Sequence, residues 1–162
     1  MGYSVYLKEQ VARSSLEDCV HIVDEVTDLD PFYALADIFF LSSRLDPLPN
    51  VAIDAAHCGI PIVCFRGASG ISDLMLPEPK LASGVVDYLD IDGAAQAIGH
   101  LLLDQAARSC TAAATSRFGQ ERFDMDKYVA NLDRIGMRAA EKHSNVEREQ
   151  KASSGRKLMN VS

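Results

Sequence analysis

Two short apolar runs, with a polar stretch and a helical stretch between them, set the pattern of this chain. Ile38-Phe39-Phe40-Leu41 and Ile62-Val63-Cys64-Phe65 contain no polar break. Their length and their lack of a helical stripe predict buried strands, which in a parallel sheet read as continuous apolar runs. The first run ends in a polar turn, Ser42-Ser43-Arg44. Asp46, Pro47, Pro49 and Asn50 then introduce a helix over residues 51–58. Gly59 ends that helix and Pro61 blocks its continuation. Arg66-Gly67-Ala68-Ser69-Gly70 follows the second run as a glycine-bearing loop. Strand, helix and strand in this order form a βαβ unit, and the chain is expected to be α/β.

The flanking segments extend this picture in both directions. Residues 8–16 read as a short helix, and Val20-His21-Ile22-Val23 as a short strand. Asp30 followed by Pro31 predicts a helix start with Asp30 as its N-cap, and Phe32 and Leu35 are expected to be buried. Beyond the glycine loop, residues 71–76 predict a turn or two of helix that Ser69 caps. Residues 84–89 read as the last strand. Asp92 is the expected N-cap of a helix over 93–103, whose Ala94, Ala97, Ile98, Leu101 and Leu102 recur at helical spacing. An alanine-rich helix over 105–116 and a junction at 118–123 come next. Asp124 then caps a helix from Met125 to about Lys142, striped by Met125, Tyr128, Val129, Leu132, Ile135 and Ala139. That helix is expected to pack on its own core. The apolar stripe then fades, so residues 1–142 read as the domain and 143–162 as a polar tail or linker.

The candidate chemistry lies where the strands end. Ligands of open parallel sheets bind beyond the carboxyl ends of the strands. The loops 42–50 and 66–70 both leave such ends. The helix that begins near Asn50 offers free amides and a positive dipole end, which suit an anion such as a diphosphate. Asp46 lies in the loop before it and Asp54 about one turn into it. Two carboxylates beside an anion site make sense if the ligand also carries sugar hydroxyls, because carboxylates accept hydrogen bonds from them. Each aspartate taken singly also has a plain structural role, Asp46 as a turn residue before Pro47 and Asp54 on a solvated helix face. Arg44 reads first as a brace of its own loop or a partner of Asp46, and second as a counter-charge for phosphates.

The stretch SSRLDPLPNVAIDAAHCGIPIV resembles the signature of the retaining GT-B glycosyltransferases of group one, S-R-x-E-P-F-P-N-V-x-L-E-A-M-A-C-G-x-P-V-V. The hallmark of that signature is two acidic residues with seven between them. Asp46 and Asp54 hold those places here, with Asp for Glu at both. FRGASGISD is similar to the family's following glycine loop, with Asp73 at its closing acid. The resemblance runs from about residue 20 to about residue 140. It implies a Rossmann-like parallel sheet flanked by helices, part of the C-terminal, donor-binding lobe of a GT-B fold. It also implies a nucleoside diphosphate sugar as donor, retention at the anomeric carbon, and no obligatory metal or other cofactor. Asp46 would be the catalytic-site acid facing the transferred sugar. Leu48, Pro49, Asn50 and Val51 would receive the diphosphate, Asp54 the ribose hydroxyls, and Gly67 and Gly70 would border the donor. The lobe that takes a glycan or lipid-linked acceptor, and the strands that bear the family's basic pair, have no counterpart in these residues. The expected state is therefore inactive alone. The alternative reading is a non-catalytic interaction or assembly module derived from such a domain, for which self-association is expected.

Composition narrows the partners. A formal charge of −7 argues against nucleic acid and anionic membranes as nonspecific partners. The four cysteines, Cys19, Cys58, Cys64 and Cys110, make no C-x-x-C pair, and the histidines His21, His57, His100 and His143 are scattered. No metal site is expected. Cys58 and Cys64 are expected in the core. A reducing, cytoplasmic setting is the simplest compartment for free thiols, and no apolar run is long enough to span a bilayer.

Overall fold

The computed structural model describes residues 3–159, with side chains through residue 143. The chain divides into two compact units, Met1–Leu35 and Ala36–Ser162.

The first unit holds α1 (Tyr3–Arg13) and α2 (Asp30–Leu35). No residue of either helix is buried. Val20–Val23, expected as a strand, is irregular and exposed. A strand forms only against a ladder partner, and among the described residues none pairs with it. The start of α2 is also capped differently. The Asp28 carboxylate, not that of Asp30, accepts a hydrogen bond, from the Asp30 amide at 3.0 Å. Asp30 is itself the first residue of the helix. Phe32 and Leu35 are exposed, Leu35 at 85%, against the expected burial.

The second unit is the α/β body. β1 (Phe39–Leu41), β2 (Ile62–Phe65) and β3 (Val85–Val86) form a three-stranded parallel sheet in the order β1-β2-β3. Phe39 pairs with Ile62 and Leu41 with Cys64; Cys64 then pairs with Val85 on its other side. The central strand is buried at all four positions. Helix α3 (Asn50–His57) lies between β1 and β2 in the chain, with Ala52, Ala55 and Ala56 fully buried. α4 (Gly70–Met75) and a 3-10 turn (Ala82–Gly84) lead to β3. The last strand is shorter than the expected 84–89, because the chain turns after Val86 with the Asp90 amide on the Asp87 carbonyl.

α5 (Ile91–Leu103) starts two residues earlier than expected and is capped by Asp90, not Asp92. The Asp90 carboxylate accepts from the Gly93 amide at 2.9 Å. Asp104 caps α6 (Gln105–Arg122) in the same way through Ala107. α6 continues through the expected junction. Charged residues and Gly119 make that stretch look like a break, yet Gly119 is a contact. A Cβ there would sit 2.7 Å from the Ala56 backbone carbon, so only glycine lets α6 approach α3 so closely.

Asp124 caps α7 (Met125–Met159) as expected, accepting from the Lys127 amide. The helix backbone continues past Lys142 to Met159. Its stripe does not pack on the core. Met125, Tyr128, Val129, Leu132 and Ile135 are all roughly half exposed or more. The tail expected at 143–162 falls almost wholly on residues whose side chains lie outside the described set. Cys64 is buried and Cys58, at the end of α3, is exposed, which corrects the expectation for Cys58.

Candidate functional site at the strand ends

Parallel pairing brings the carboxyl ends of β1, β2 and β3 to one edge. Three loops leave it: residues 42–49, 66–69 and 87–90. Backbone and side-chain bonds stitch them together. The Asp46 amide donates to the Ala68 carbonyl at 2.8 Å, and the Gly70 amide to the Pro47 carbonyl at 2.9 Å. The pair Asp46 and Ser69 forms an isolated parallel bridge. A Cβ at Gly70 would lie 2.3 Å from the Pro47 oxygen, so this crossing requires glycine. The third loop joins through the Tyr88 hydroxyl, which donates to the Arg44 carbonyl at 3.4 Å. It joins again through Arg66, whose Nε lies 3.1 Å from Asp87 Oδ1.

The proximity of the two loops predicted as one site is therefore real. Their detailed use differs from the expectation at the glycine loop. The Gly67 amide donates to Ser72 Oγ at 3.1 Å, and the Gly70 amide is taken by Pro47. As the loop stands, these two amides bind protein and not an anion. Ser69 does not cap α4 with its side chain. Among the described residues its buried hydroxyl has no partner, while its carbonyl accepts from Ser72 Oγ at 2.7 Å. Ser72, fully buried, is the post around which the loop is wound.

The entrance to α3 has the opposite character. Pro49 is its N-cap, and no side chain caps it. Among the described residues, the amides of Leu48 and Asn50 donate to no protein acceptor. Pro47 and Pro49 have no amide hydrogen to offer. Asp46 is half-buried and Asp54 exposed. Neither carboxylate makes an ion pair or side-chain hydrogen bond among the described residues. The pairing weighed between Arg44 and Asp46 is thus not taken up among the described residues, while Asp54 does stand on an exposed helix face. Arg44 braces the loop with its carbonyl instead, and its guanidinium is unengaged among the described residues.

Other groups that sequence reasoning placed near the site are accounted for differently. Asp73 stands in the first turn of α4, with Ser72 Oγ 3.4 Å from its carboxylate. It also acts on Cys64, whose thiol is pushed up to about 11, first by burial and then by the Asp73 charge. Cys64 is therefore a packed apolar group and not a nucleophile. Tyr88, Asp87 and Ser72 were not foreseen as site residues. The run that contains Tyr88 and Asp87 reads as strand, and Ser72 has no sequence signal that marks it as a post. Among the described residues, no group of three or more His, Cys, Asp or Glu side chains is arranged to hold a metal ion.

With this edge described, comparison with known proteins decides the family. Residues 2–104 match the family of glycosyl transferases group 1. The chain belongs to that family. Its fold matches part of a GT-B glycosyltransferase, the sucrose-phosphate synthase of Thermosynechococcus elongatus, with a TM-score of 0.71 at 24% identity over 82% of this chain and 33% of that one. Among curated relatives, the chain is 44% identical over 61 residues to the mannosylfructose-phosphate synthase of Agrobacterium fabrum, covering 35% of this chain and 13% of that protein. It is 31% identical over 86 residues to a lipopolysaccharide core biosynthesis glycosyltransferase of Rhizobium meliloti, 51% of this chain and 23% of that protein. A glycosyltransferase of Haemophilus influenzae is 32% identical over 69 residues, 43% of this chain and 20% of that protein. The chain thus spans about a quarter or less of the curated relatives it matches. No helix among the described residues of this glycosyltransferase domain is long and apolar enough to cross a membrane.

Proposed function

We propose that this chain is the nucleotide-sugar donor-binding part of a retaining glycosyltransferase, inactive alone and completed by an acceptor-binding lobe. The observation that carries the reading is the entrance of α3. Among the described residues, two carboxylates without protein partners flank a helix start whose Leu48 and Asn50 amides are also without acceptors. Unused donors and unused acceptors side by side match a ligand with both phosphates and hydroxyls. In this reading the α3 entrance, from Leu48 through Pro49 and Asn50 to Val51, receives the diphosphate. Asp54 accepts from ribose hydroxyls and Asp46 faces the transferred sugar. When the bond from the anomeric carbon to the diphosphate breaks, its electron pair goes to the diphosphate oxygen. Fixed amides aimed there stabilise the charge that develops. Gly67 and Gly70 shape the border of the site. Membership of the group 1 family supports the choice of a nucleotide-sugar over other phosphorylated ligands. The acceptor, a glycan or lipid-linked sugar, would be held by the other lobe.

Calorimetric titration with UDP, GDP, ADP and their sugars tests the reading, with Asp54→Ala as the control. Saturable binding that the substitution abolishes is expected. Unchanged affinity in Asp54→Ala would sink the assignment. A second reading, an assembly module without donor binding, is favoured by the exposed stripe of α7. It predicts a species larger than a monomer in light scattering and no response to any of these ligands.

A further inference from the structure

The edge that is to hold a diphosphate is acidic. Its three loops carry Asp46, Asp87 and Asp90, and the helices that follow add Asp54, Asp73 and Asp92. Against these, the same loops carry two cations, Arg44 and Arg66. A polyanion approaching this edge needs both. Arg44 is unengaged among the described residues. Arg66 is held by Asp87, yet both side chains stay open to solvent, at 53% and 80%. An exposed pair of this kind contributes little net stability, because water screens it and both side chains lose freedom. A phosphate can meet the guanidinium through two parallel hydrogen bonds, where the contact to Asp87 is made through Nε.

The backbone on either side of this pair is anchored. The Arg66 amide donates to the Val86 carbonyl at 2.7 Å, and Asp87 follows directly after Val86 in the turn closed by Asp90. Only the side chains need to move. We propose that Arg66 is a phosphate-binding residue kept in place by Asp87, and that a nucleoside diphosphate binds by taking its guanidinium from that carboxylate. The proposal rests on the donor-binding reading given above. In the free protein, Asp87 holds the cation over the edge and lowers its attraction for stray anions. In the bound protein, the Asp87 carboxylate returns to water and Arg66 joins Arg44 on the diphosphate.

A double-mutant cycle on the full chain tests this, with UDP, GDP and ADP titrated by calorimetry at low ionic strength. Arg66→Gln is expected to weaken binding about tenfold, the loss of one hydrogen bond to a charged group. Asp87→Asn is expected to tighten it about threefold, since one competitor is gone. On the Arg66→Gln background, Asp87→Asn should then change nothing. Equal tightening on both backgrounds would mean that Asp87 acts as a plain negative charge, and the exchange would be overturned. Unchanged affinity in Arg66→Gln, with Asp54→Ala still abolishing binding, would overturn the exchange and leave the donor site standing. No binding by the unaltered chain would remove both. Both side chains are exposed, and far-UV circular dichroism checks that each variant folds.

Discussion

The strand β2 and the helix α7 are the two most clearly patterned apolar stretches of the chain, and they meet opposite fates. Ile62–Phe65 is buried at every position, between two strands and against α3 and α5. The stripe of α7 is as regular, yet Leu132 and Ile135 remain about half exposed. Periodicity states which face a segment would bury. It does not state that anything is there to cover that face. β2 has a partner on each side from nearby sequence, whereas the stripe of α7, among the described residues, is left about half exposed.

Removing side chains from each region sharpens this contrast. The largest effect is expected for Ile62→Ala, which opens a cavity beside fully buried neighbours and should cost about 2–5 kcal/mol in urea unfolding. Gly119→Ala should follow, at about 1–3 kcal/mol, because its Cβ enters the Ala56 backbone and the two helices must part. Asp90→Ala should cost about 1 kcal/mol as a lost cap, with Asp92→Ala close to neutral. Equal effects at the two positions would contradict the observed start of α5. Leu132→Ala is expected to be smallest, within about 0.5 kcal/mol, as for other exposed positions. A cost there comparable with that of Ile62→Ala would show that the α7 stripe is covered in solution, and the contrast between the two regions would fail.

Acid should act on the helix starts before it acts on the strands. The carboxyls of Asp104 and Asp124 are held below their ordinary value of 3.8, chiefly by the amides of Ala107 and Lys127 that they cap. A depressed pKa in the folded chain contributes stability that is present above the unfolded value and lost as pH falls through the folded one. Thermal unfolding followed downward from pH 5 should therefore show a decline beginning near pH 4. The Asp104→Asn and Asp124→Asn variants should show a shallower decline.

The candidate site shows the same division at finer scale. The acidic spacing of Asp46 and Asp54, the proline-rich entrance to α3 and the edge to which both loops run were legible, because each depends on neighbours within a few residues. The use of the glycine loop was not. Its amides look available in sequence, but Ser72 and Pro47 reach them only once the loop folds back. The Arg66–Asp87 pair joins residues 21 apart in the chain, through the register of β2 on β3. No local pattern encodes such a contact.

By itself the sequence determined the order of strand, helix and strand, the identity of the central strand, the caps at Asp124 and the end of α3, and the family. These follow from short-range sterics, from the hydrophobic period and from spacing within one motif. Tertiary structure alone decided the length of α6, the cap of α5, the fate of Val20–Val23 and the exposure of α7. It also decided which polar groups at the strand ends remain unpaired. Each of these depends on whether another part of the chain arrives to pair or to pack, and burial and hydrogen bonding are properties of two surfaces, of which a sequence segment supplies one.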